Sequence, residues 1–252
     1  PCVLEADVIL NLAKPKSHRK AGLTACAKNF VGACMRKEDL PHHTAGSQAE
    51  NGDEYRDKSA LHAFQSRLLD KKNDSDYAGD RRFFLYKWLY KAVRAVQKLS
   101  GAEARDFMEG SWYGNDTIWR TIVDLNRILC YADQSGRIMQ EPQRRVFNVA
   151  DLIIAGEGEG PLKPSPKPMG VVVMSNRIWA ADRFICRLVG FSEAAVRYLG
   201  HLSEQTSANS SLELVDESGT HTPFDVYPFD PCLYLRPTAG WRGHIESCDR
   251  NA

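Results

Sequence analysis

The sequence predicts an α/β domain: a mostly parallel sheet flanked by helices, with a long polar insertion and a loop-rich C-terminal tail. Three observations predict this class. Short aliphatic runs at residues 6–12, 146–155 and 169–174 are typical of buried strands. Apolar residues recur at helical spacing in residues 81–99 and 116–131. Strand and helix patterns alternate along the chain, which is the order of elements in an α/β fold.

The chain opens with a strand, a polar loop and a helix. The run at residues 6–12 is too short for a core helix and predicts a buried strand. Residues 13–22 are polar and broken by proline and glycine, so they predict a loop. Thr24 then has the side chain to cap a helix over residues 25–31.

A polar, turn-rich insertion follows over residues 36–80, with one helical turn predicted near residues 61–69. It leads into the two amphipathic helices at 81–99 and 116–131. The aromatic stripe of the first helix is typical of a core-facing surface rather than of a cofactor site.

The second half predicts further strands and helices and then a tail. We assign residues 1–205 to the α/β domain and residues 206–252 to a C-terminal extension. The predicted elements are a strand at 146–155, a Gly-rich loop at 156–161, a Pro-rich linker at 162–168, a strand at 169–174, helices at 180–188 and 192–202, and a strand at 212–215.

Charge and hydropathy exclude two classes of partner. The chain has 33 Lys and Arg residues against 32 Asp and Glu residues, a net charge of +1. This balance argues against a nucleic-acid-binding protein, which needs a positive field. No stretch approaches the roughly 18 apolar residues of a membrane helix. We therefore expect neither nucleic acid nor membrane as a partner. The sequence does not indicate which oligomeric state the protein adopts.

The cysteine pattern predicts a reducing compartment. Seven cysteines are widely spaced and none forms a CxxC pair. This favours reduced thiols in the cytoplasm over a disulfide framework. It also provides no cysteine cluster for an iron–sulfur centre.

A basic segment between the first strand and helix is the first candidate site. Lys14, Lys16 and His18 lie where a strand ends, followed by Thr24, Lys28 and Asn29 at the helix. Ligands of α/β sheets bind beyond the carboxyl ends of strands, and a helix N-terminus favours an anion. The segment predicts a phosphate or carboxylate site. The alternative is a solvated basic turn.

An acidic, glycine-rich segment after the strand at 146–155 is the second candidate site. Glu157 and Glu159 alternate with Gly158 and Gly160. Paired carboxylates can hold a divalent cation or divide into an acid and a base. The alternative is a flexible acidic turn.

Two aspartates are further candidate site acids. Asp182 is expected to open the helix after the strand at 169–174, and Asp124 lies among apolar residues of a helix. Each could face the site. The alternatives are a carboxylate that complements the helix dipole and a satisfied structural group.

Several segments together resemble the family called domain of unknown function 362. The strand and loop over 6–18 resemble its strand leading to a Lys-x-Lys-x-His loop. Segments 22–24 and 28–32 are similar to its Gly-Leu-Thr and Lys-Asn-x-x-Gly segments. Its central helix motif, its Glu-Gly-x-Gly-Pro loop and its later aspartate are similar to residues 123–126, 156–162 and 181–182 respectively.

The resemblance implies an α/β fold and the positions of a site rather than a reaction. The family's domain begins upstream of the strand at 6–12, so we expect part of the site to lie outside this chain. Some relatives carry ferredoxin-type cysteine clusters, and this chain has none.

Our leading hypothesis is an enzyme that acts on a small anionic substrate. Lys14, Lys16 and Lys28 would bind the anion, and His18 would serve as general acid or base. Glu157 and Glu159 would bind a divalent cation or complete the acid–base pair. The alternative is a non-catalytic accessory protein, such as a redox-associated partner of an iron–sulfur protein.

Overall fold

The computed structural model describes residues 2–34, 39–99, 107–204 and 212–247. The chain divides into two compact units. Unit 1 comprises Pro1–Pro41 and Ile118–Ala252, and unit 2 comprises His42–Thr117. Arg36, Cys248 and the predicted boundary at 205/206 lie outside the described residues. Within the described residues, no helix is both long enough and apolar enough to cross a membrane.

Helices and strands occur in groups along the chain. The helices are α1 (Cys2–Glu5), α2 (Cys26–Asn29), α3 (Ala60–Tyr77), α4 (Arg82–Leu99), α5 (Ile118–Tyr131), α6 (Ile178–Leu188) and α7 (Tyr198–Glu204). The strands are β1 (Val8–Ala13), β2 (Lys16–His18), β3 (Gly22–Thr24), β4 (Arg145–Glu159), β5 (Lys163–Ser175), β6 (Glu213–Val215) and β7 (His221–Pro223).

The main sheet of unit 1 is built around β4. Counting only the part of the chain that the structure describes, it has five strands. β1 and β2 both pair in parallel with β4, whereas β5 pairs with it antiparallel, and β3 pairs antiparallel with β2. Three of the five strands therefore run in one direction, and the predicted α/β class is confirmed. β6 and β7 form a separate antiparallel pair.

β1 and β2 lie end to end along one edge of β4. β1 pairs with the beginning of β4, and Lys16 of β2 pairs with Gly156 near its end. β5 pairs with the opposite edge of β4 from Asn148 to Glu159, beside both β1 and β2. The chain after β1 therefore continues along β4 instead of leaving the sheet as the predicted loop.

A layer of helices covers one face of this sheet. α2 packs against β1, and α6 packs against β4 and β5, while α5 and α7 pack against each other. On the covered face, Asn11, Asn148 and Leu152 are almost completely buried. The opposite face exposes apolar side chains, including 64% of Leu12 and 74% of Met174. The helix layer is therefore one-sided over the described sheet.

The predicted Pro-rich linker is part of β5, which corrects the sequence-based boundary. Pro164, Pro166 and Pro168 occupy alternate positions and pair with Gly158, Gly156 and Ile154 of β4. Proline has no N–H to donate, so it is tolerated in a strand at the outer edge of a sheet. Alternate spacing puts all three prolines on the same side of the ladder. The acidic segment is corrected too, because β4 extends through it to Glu159.

The predicted loop at residues 13–22 is also wrong, because β2 and β3 form a short hairpin there. Thr24 ends β3 and does not cap a helix. Ala25 occupies the N-cap position of α2, without a side-chain hydrogen bond. The predicted helix over residues 25–31 divides into α2 and a 3-10 turn at Phe30–Ala33.

Two later helices also differ from the sequence prediction. α6 begins two residues earlier than expected, at Ile178, so Asp182 lies within the helix rather than opening it. α7 spans only Tyr198–Glu204, shorter than the predicted 192–202 at its beginning.

Unit 2 contains a loop segment followed by the helices α3 and α4. Asp53 organises the loop, since its carboxylate accepts hydrogen bonds from Thr44 N at 2.5 Å and Asp116 N at 2.7 Å. Ser59 caps α3 by accepting from His62 N. The insertion is thus more helical than predicted. The apolar residues of α3 lie mainly in its first half, so the sequence pattern indicated only a single turn.

Candidate functional site

Two lysines of the first candidate site lie along β4, Lys14 at Asp151 and Lys16 at Gly156. Lys14 Nζ forms an ion pair with Asp151 Oδ2 at 2.8 Å. Lys16 Nζ donates a hydrogen bond to Lys14 O at 2.7 Å. Burial, followed by the charge of Lys14, lowers the pKa of Lys16. The charge of Lys14 is therefore close enough to disfavour the charged form of Lys16.

His18 has a defined hydrogen-bonding role in the hairpin. Its side chain is buried, and Nδ1 accepts hydrogen bonds from Lys20 N and Ala21 N, both at 3.1 Å. An Nδ1 that accepts cannot carry the proton, so these bonds assign the ring hydrogen of the neutral form to Nε2. The neutral His18 ring therefore carries its proton at Nε2. It could act as a base only at Nδ1, which the two amides already occupy.

The acidic residues contact a part of the chain that the sequence did not connect to them. Glu157 Oε2 accepts from Arg236 N at 3.0 Å, and Glu159 Oε1 accepts from Ala239 N at 2.9 Å. We call residues 235–247 the C-terminal strap. Each glutamate holds a backbone amide of the strap, and Glu157 Oε1 also lies 3.5 Å from Arg236 Nη2. Each carboxylate therefore already accepts a hydrogen bond from the strap, and neither is an unoccupied ligand for a cation.

The strap is bonded to the hairpin as well as to β4. Ser17 Oγ donates to Arg236 O at 2.8 Å, and Gly158 N donates to the same oxygen at 2.8 Å. Trp241 Nε1 donates to Arg19 O at 2.7 Å. The Trp241 ring lies so close to Gly22 that a Cβ there would come within 3.0 Å of it. The strap therefore closes the same end of the sheet that holds the basic residues.

Gly160 allows the acidic segment to approach β2 directly. Its carbonyl accepts from Arg19 N at 3.0 Å. A Cβ on Gly160 would stand 2.0 Å from Ser17 O, a backbone atom. Gly158 adopts a φ of 73°, which L side chains rarely adopt, and the Arg236 side chain covers it. Gly160 is thus required by its close approach to Ser17, and Gly158 by its backbone conformation.

Asp182 lies in the core, where it binds the beginning of α2. It is fully buried, and its two carboxylate oxygens accept from Cys26 N at 2.7 Å and Ala27 N at 3.0 Å. Burial raises the pKa of Asp182 to about 6, although both amides oppose the shift. The arrangement is that of a cap for a short helix.

Asn29, next to Lys28, begins a chain of hydrogen bonds through Asn11 to Asn148. Asn29 Nδ2 donates to Asn11 Oδ1 at 2.8 Å, and Asn11 Nδ2 donates to Asn148 Oδ1 at 2.8 Å. Asn29 therefore ties α2 to β1, and Asn11 ties β1 to β4. Lys28 is buried on the same helix.

The second candidate acid, Asp124, is exposed on the surface of α5. The side chain that faces α2 from this helix is Asn126, whose Nδ2 donates to Ala27 O at 3.0 Å. The structure thus pairs Lys16 with Gly156 of the acidic segment, whereas Asp124 lies at the surface and Asp182 in the core.

The strap, and Arg236 above all, carries no local sequence signal of its role. The side-chain partners of Arg236 that belong to the acidic segment and β5, Glu157 and Ser165, lie more than 70 positions away. No local pattern marks such a partner. Over the described residues, no three His, Cys, Asp or Glu side chains come together as a metal site.

Replacing Glu157 by alanine should loosen the strap. The change removes the acceptor for Arg236 N, and a hydrogen bond to a charged group contributes about 2 kcal/mol. We expect faster amide hydrogen exchange at Arg236 and Gly158, measured by NMR, with little change in the remaining core. Glu141→Ala, at an exposed position, is the control. Equal exchange at Arg236 in both variants would show that Glu157 does not hold the strap.

The model of a family described as a domain of unknown function (DUF362) matches residues 1–187 of the 252. No curated protein and no solved structure matches significantly. The matched region contains every site residue that the sequence predicted, whereas the strap lies beyond it.

Proposed function

This chain belongs to the family of the domain of unknown function 362, and from that premise we propose that it is an enzyme that binds a small anionic substrate at the strap-covered end of β4. The substrate carries a phosphate or carboxylate group. Lys14 and Lys16 bind this group, and neither a nucleic acid nor a membrane is the partner.

The observation that carries the proposal is the position of Lys16. Its ammonium group is partly buried and lies next to the charge of Lys14, and both effects lower its pKa. A bound anion would relieve both effects, since an opposite charge nearby favours the charged form. Asp151 compensates Lys14 only in an exposed ion pair, which contributes little. The pair of lysines is therefore suited to an anion supplied from solution.

Neighbouring groups add hydrogen-bond donors to this site. Thr24 lies directly opposite Lys16 in the hairpin, and its buried Oγ1 makes no hydrogen bond. The Arg236 guanidinium is half exposed above Gly158. Donors and cations of this kind stabilise charge that develops on an oxyanion. A lysine of lowered pKa can also transfer a proton closer to neutral pH.

We also propose that the protein works in the cytoplasm. Among the described cysteines, Cys26, Cys34, Cys130, Cys186 and Cys232 carry free thiols. Unpaired thiols are typical of proteins in a reducing compartment.

Removing both lysines tests the proposed site. In the Lys14→Ala, Lys16→Ala variant, binding of inorganic phosphate and of acetate, measured by calorimetry, should weaken by roughly tenfold or more, since each lost charge-assisted contact contributes about 1.5 kcal/mol or more. In the wild type, the pKa of Lys16, followed by the pH dependence of its Nζ resonance, should rise when phosphate binds.

The control variant removes two positive charges elsewhere in unit 1. Arg127 is exposed on α5, and Arg145 begins β4, about 35 Å along the strand from Gly156. Arg127→Ala, Arg145→Ala should bind both anions as the wild type does. Equal weakening in the two variants would indicate a general charge effect. Absence of phosphate and acetate binding to the wild type would overturn the proposal and favour a non-catalytic accessory role.

A further inference from the structure

We propose a second ligand site in unit 1: a cavity among α5, α6, α7 and the start of β4 that takes a small carboxylate with an apolar body. The cavity has a volume of about 180 Å³. Its wall includes Asn126, Cys130, Arg144, Val146 and Trp179.

This cavity is separate from the anion site of the proposed function. Val146 lies at the beginning of β4, and Gly156 lies ten residues further along the strand. At about 3.3 Å per residue, the two positions are about 30 Å apart. A ligand of the cavity therefore leaves the lysine site free.

Three side chains in the cavity wall carry polar atoms without a hydrogen-bond partner. They are Arg144 Nε, Trp179 Nε1 and Asn126 Oδ1, and each of these atoms is closed to water from the cavity as well as from bulk solvent, so a ligand bonds to them by moving the lining side chains apart. The residues themselves are more than nine-tenths buried. Buried polar groups are almost always paired, because an unmade hydrogen bond in the interior is unfavourable. Three in the wall of one cavity indicate a partner that the chain itself does not provide.

The charge of Arg144 points to an anionic partner. Its terminal nitrogens donate to backbone carbonyls, those of Leu129, Ala132 and Leu4. In the part of the chain that the structure describes, no carboxylate forms an ion pair with it. A buried cation satisfied only by carbonyl dipoles is unfavourable unless an anion joins it.

The neighbouring thiol does not supply that anion. Cys130 also lines the cavity, and burial raises its pKa to about 11, with Arg144 opposing the shift. The thiol is therefore protonated at neutral pH. The negative charge has to come from a ligand.

The rest of the wall and the volume define the ligand further. Val146, Ile178 and Leu202 are apolar and suit a hydrocarbon body. Arginine and indole N–H groups suit carboxylate oxygens, and the Asn126 carbonyl suits a hydroxyl or amino donor. A cavity of about 150 Å³ can hold benzene, so this one holds a compound of about 6 to 9 non-hydrogen atoms. The class is a short, branched or aromatic carboxylic acid.

The test uses 3-methylbutanoate and benzoate as ligands, with 3-methylbutanamide as the neutral counterpart of the first. Binding to the full chain is measured by calorimetry. Nuclear Overhauser contacts locate the ligand against the methyl groups of Val146 and Leu202. We expect the carboxylates to bind with Kd values in the millimolar range or below, and the amide to bind roughly tenfold more weakly.

Matched tryptophan variants assign the site. Trp179→Phe removes one N–H and keeps an aromatic ring, so carboxylate binding should weaken by about tenfold. Trp119→Phe, on the same unit, should leave binding unchanged. The Lys14→Ala, Lys16→Ala variant should also keep cavity binding, which separates this site from the proposed function.

Three results would overturn the cavity site: no contact between ligand and the Val146 or Leu202 methyls, equal binding of acid and amide, or equal binding by wild type and Trp179→Phe. The first would indicate that the ligand does not occupy this cavity, the second that the charge of Arg144 does not recognise the carboxylate, and the third that the Trp179 N–H does not bind it. None would bear on phosphate binding at Lys14 and Lys16.

Discussion

Replacing Asp182 by alanine should destabilise the protein by about 3 kcal/mol at pH 5, because it leaves two buried amides without acceptors. The carboxylate is fully buried and accepts from Cys26 N and Ala27 N, the first amides of α2. These amides have no partner within a helix, since the first turn always leaves its N–H groups unpaired. Urea unfolding, with ΔG extrapolated to water, measures the loss.

The contribution of Asp182 should also depend on pH. Burial raises its pKa to about 6 from an ordinary value of 3.8. Between these values the folded state binds more protons at this group than the unfolded state. Stability from this group is therefore fully present below pH 4 and falls as the pH rises through 6, by up to about 3 kcal/mol.

Asp182→Asn isolates this effect. Asparagine keeps one carbonyl oxygen for the amides but does not titrate. Unfolding free energies of both proteins at pH 4 and pH 7 should show a larger decline for the wild type. Curves that stay parallel across this range would show that the pKa of Asp182 is the same in the folded and unfolded states, and the predicted shift would be wrong.

Local patterns predicted the elements whose structure depends on local sequence. The strand at residues 6–12 appears as β1, shifted by one or two residues, because a short aliphatic run suits a sheet position. The amphipathic helices at 81–99 and 116–131 appear as α4 and α5. The neighbourhood of the basic and acidic segments also follows from the sequence, since β2 and β4 are parallel and end at the same edge.

Features that depend on distant partners could not be predicted. The prolines at 164, 166 and 168 indicate a linker unless the strand is known to be at the edge of the sheet. Glu157 and Glu159 look like free carboxylates until the strap supplies its amides, about 80 positions away. Histidine is a residue type that can serve as a general base, but the backbone amides two and three residues after His18 donate hydrogen bonds to its Nδ1. Local sequence encodes none of these partners.

Replacing Gly160 by alanine should be the most disruptive small substitution at the strap-covered end of β4. The added methyl group would lie 2.0 Å from Ser17 O, where nothing but backbone movement can make room. β2 and β4 would have to separate, which would break the bond from Arg19 N to Gly160 O. Steric overpacking of this kind costs about 3 kcal/mol. Denaturant unfolding should show the loss, and phosphate binding at Lys16 should weaken with it.

Gly32→Ala is the matched control for this substitution. A Cβ at Gly32 meets no atom within 4 Å. The control should stay within about 1 kcal/mol of the wild type, because alanine is favoured over glycine in helical turns. If Gly160→Ala unfolded at the same denaturant concentration as Gly32→Ala, the segment around Gly160 could move away from Ser17 at little cost. The close approach would then not hold the basic and acidic segments together, and the lysine site would have to be maintained by the strap contacts of Ser17 and Glu157 alone.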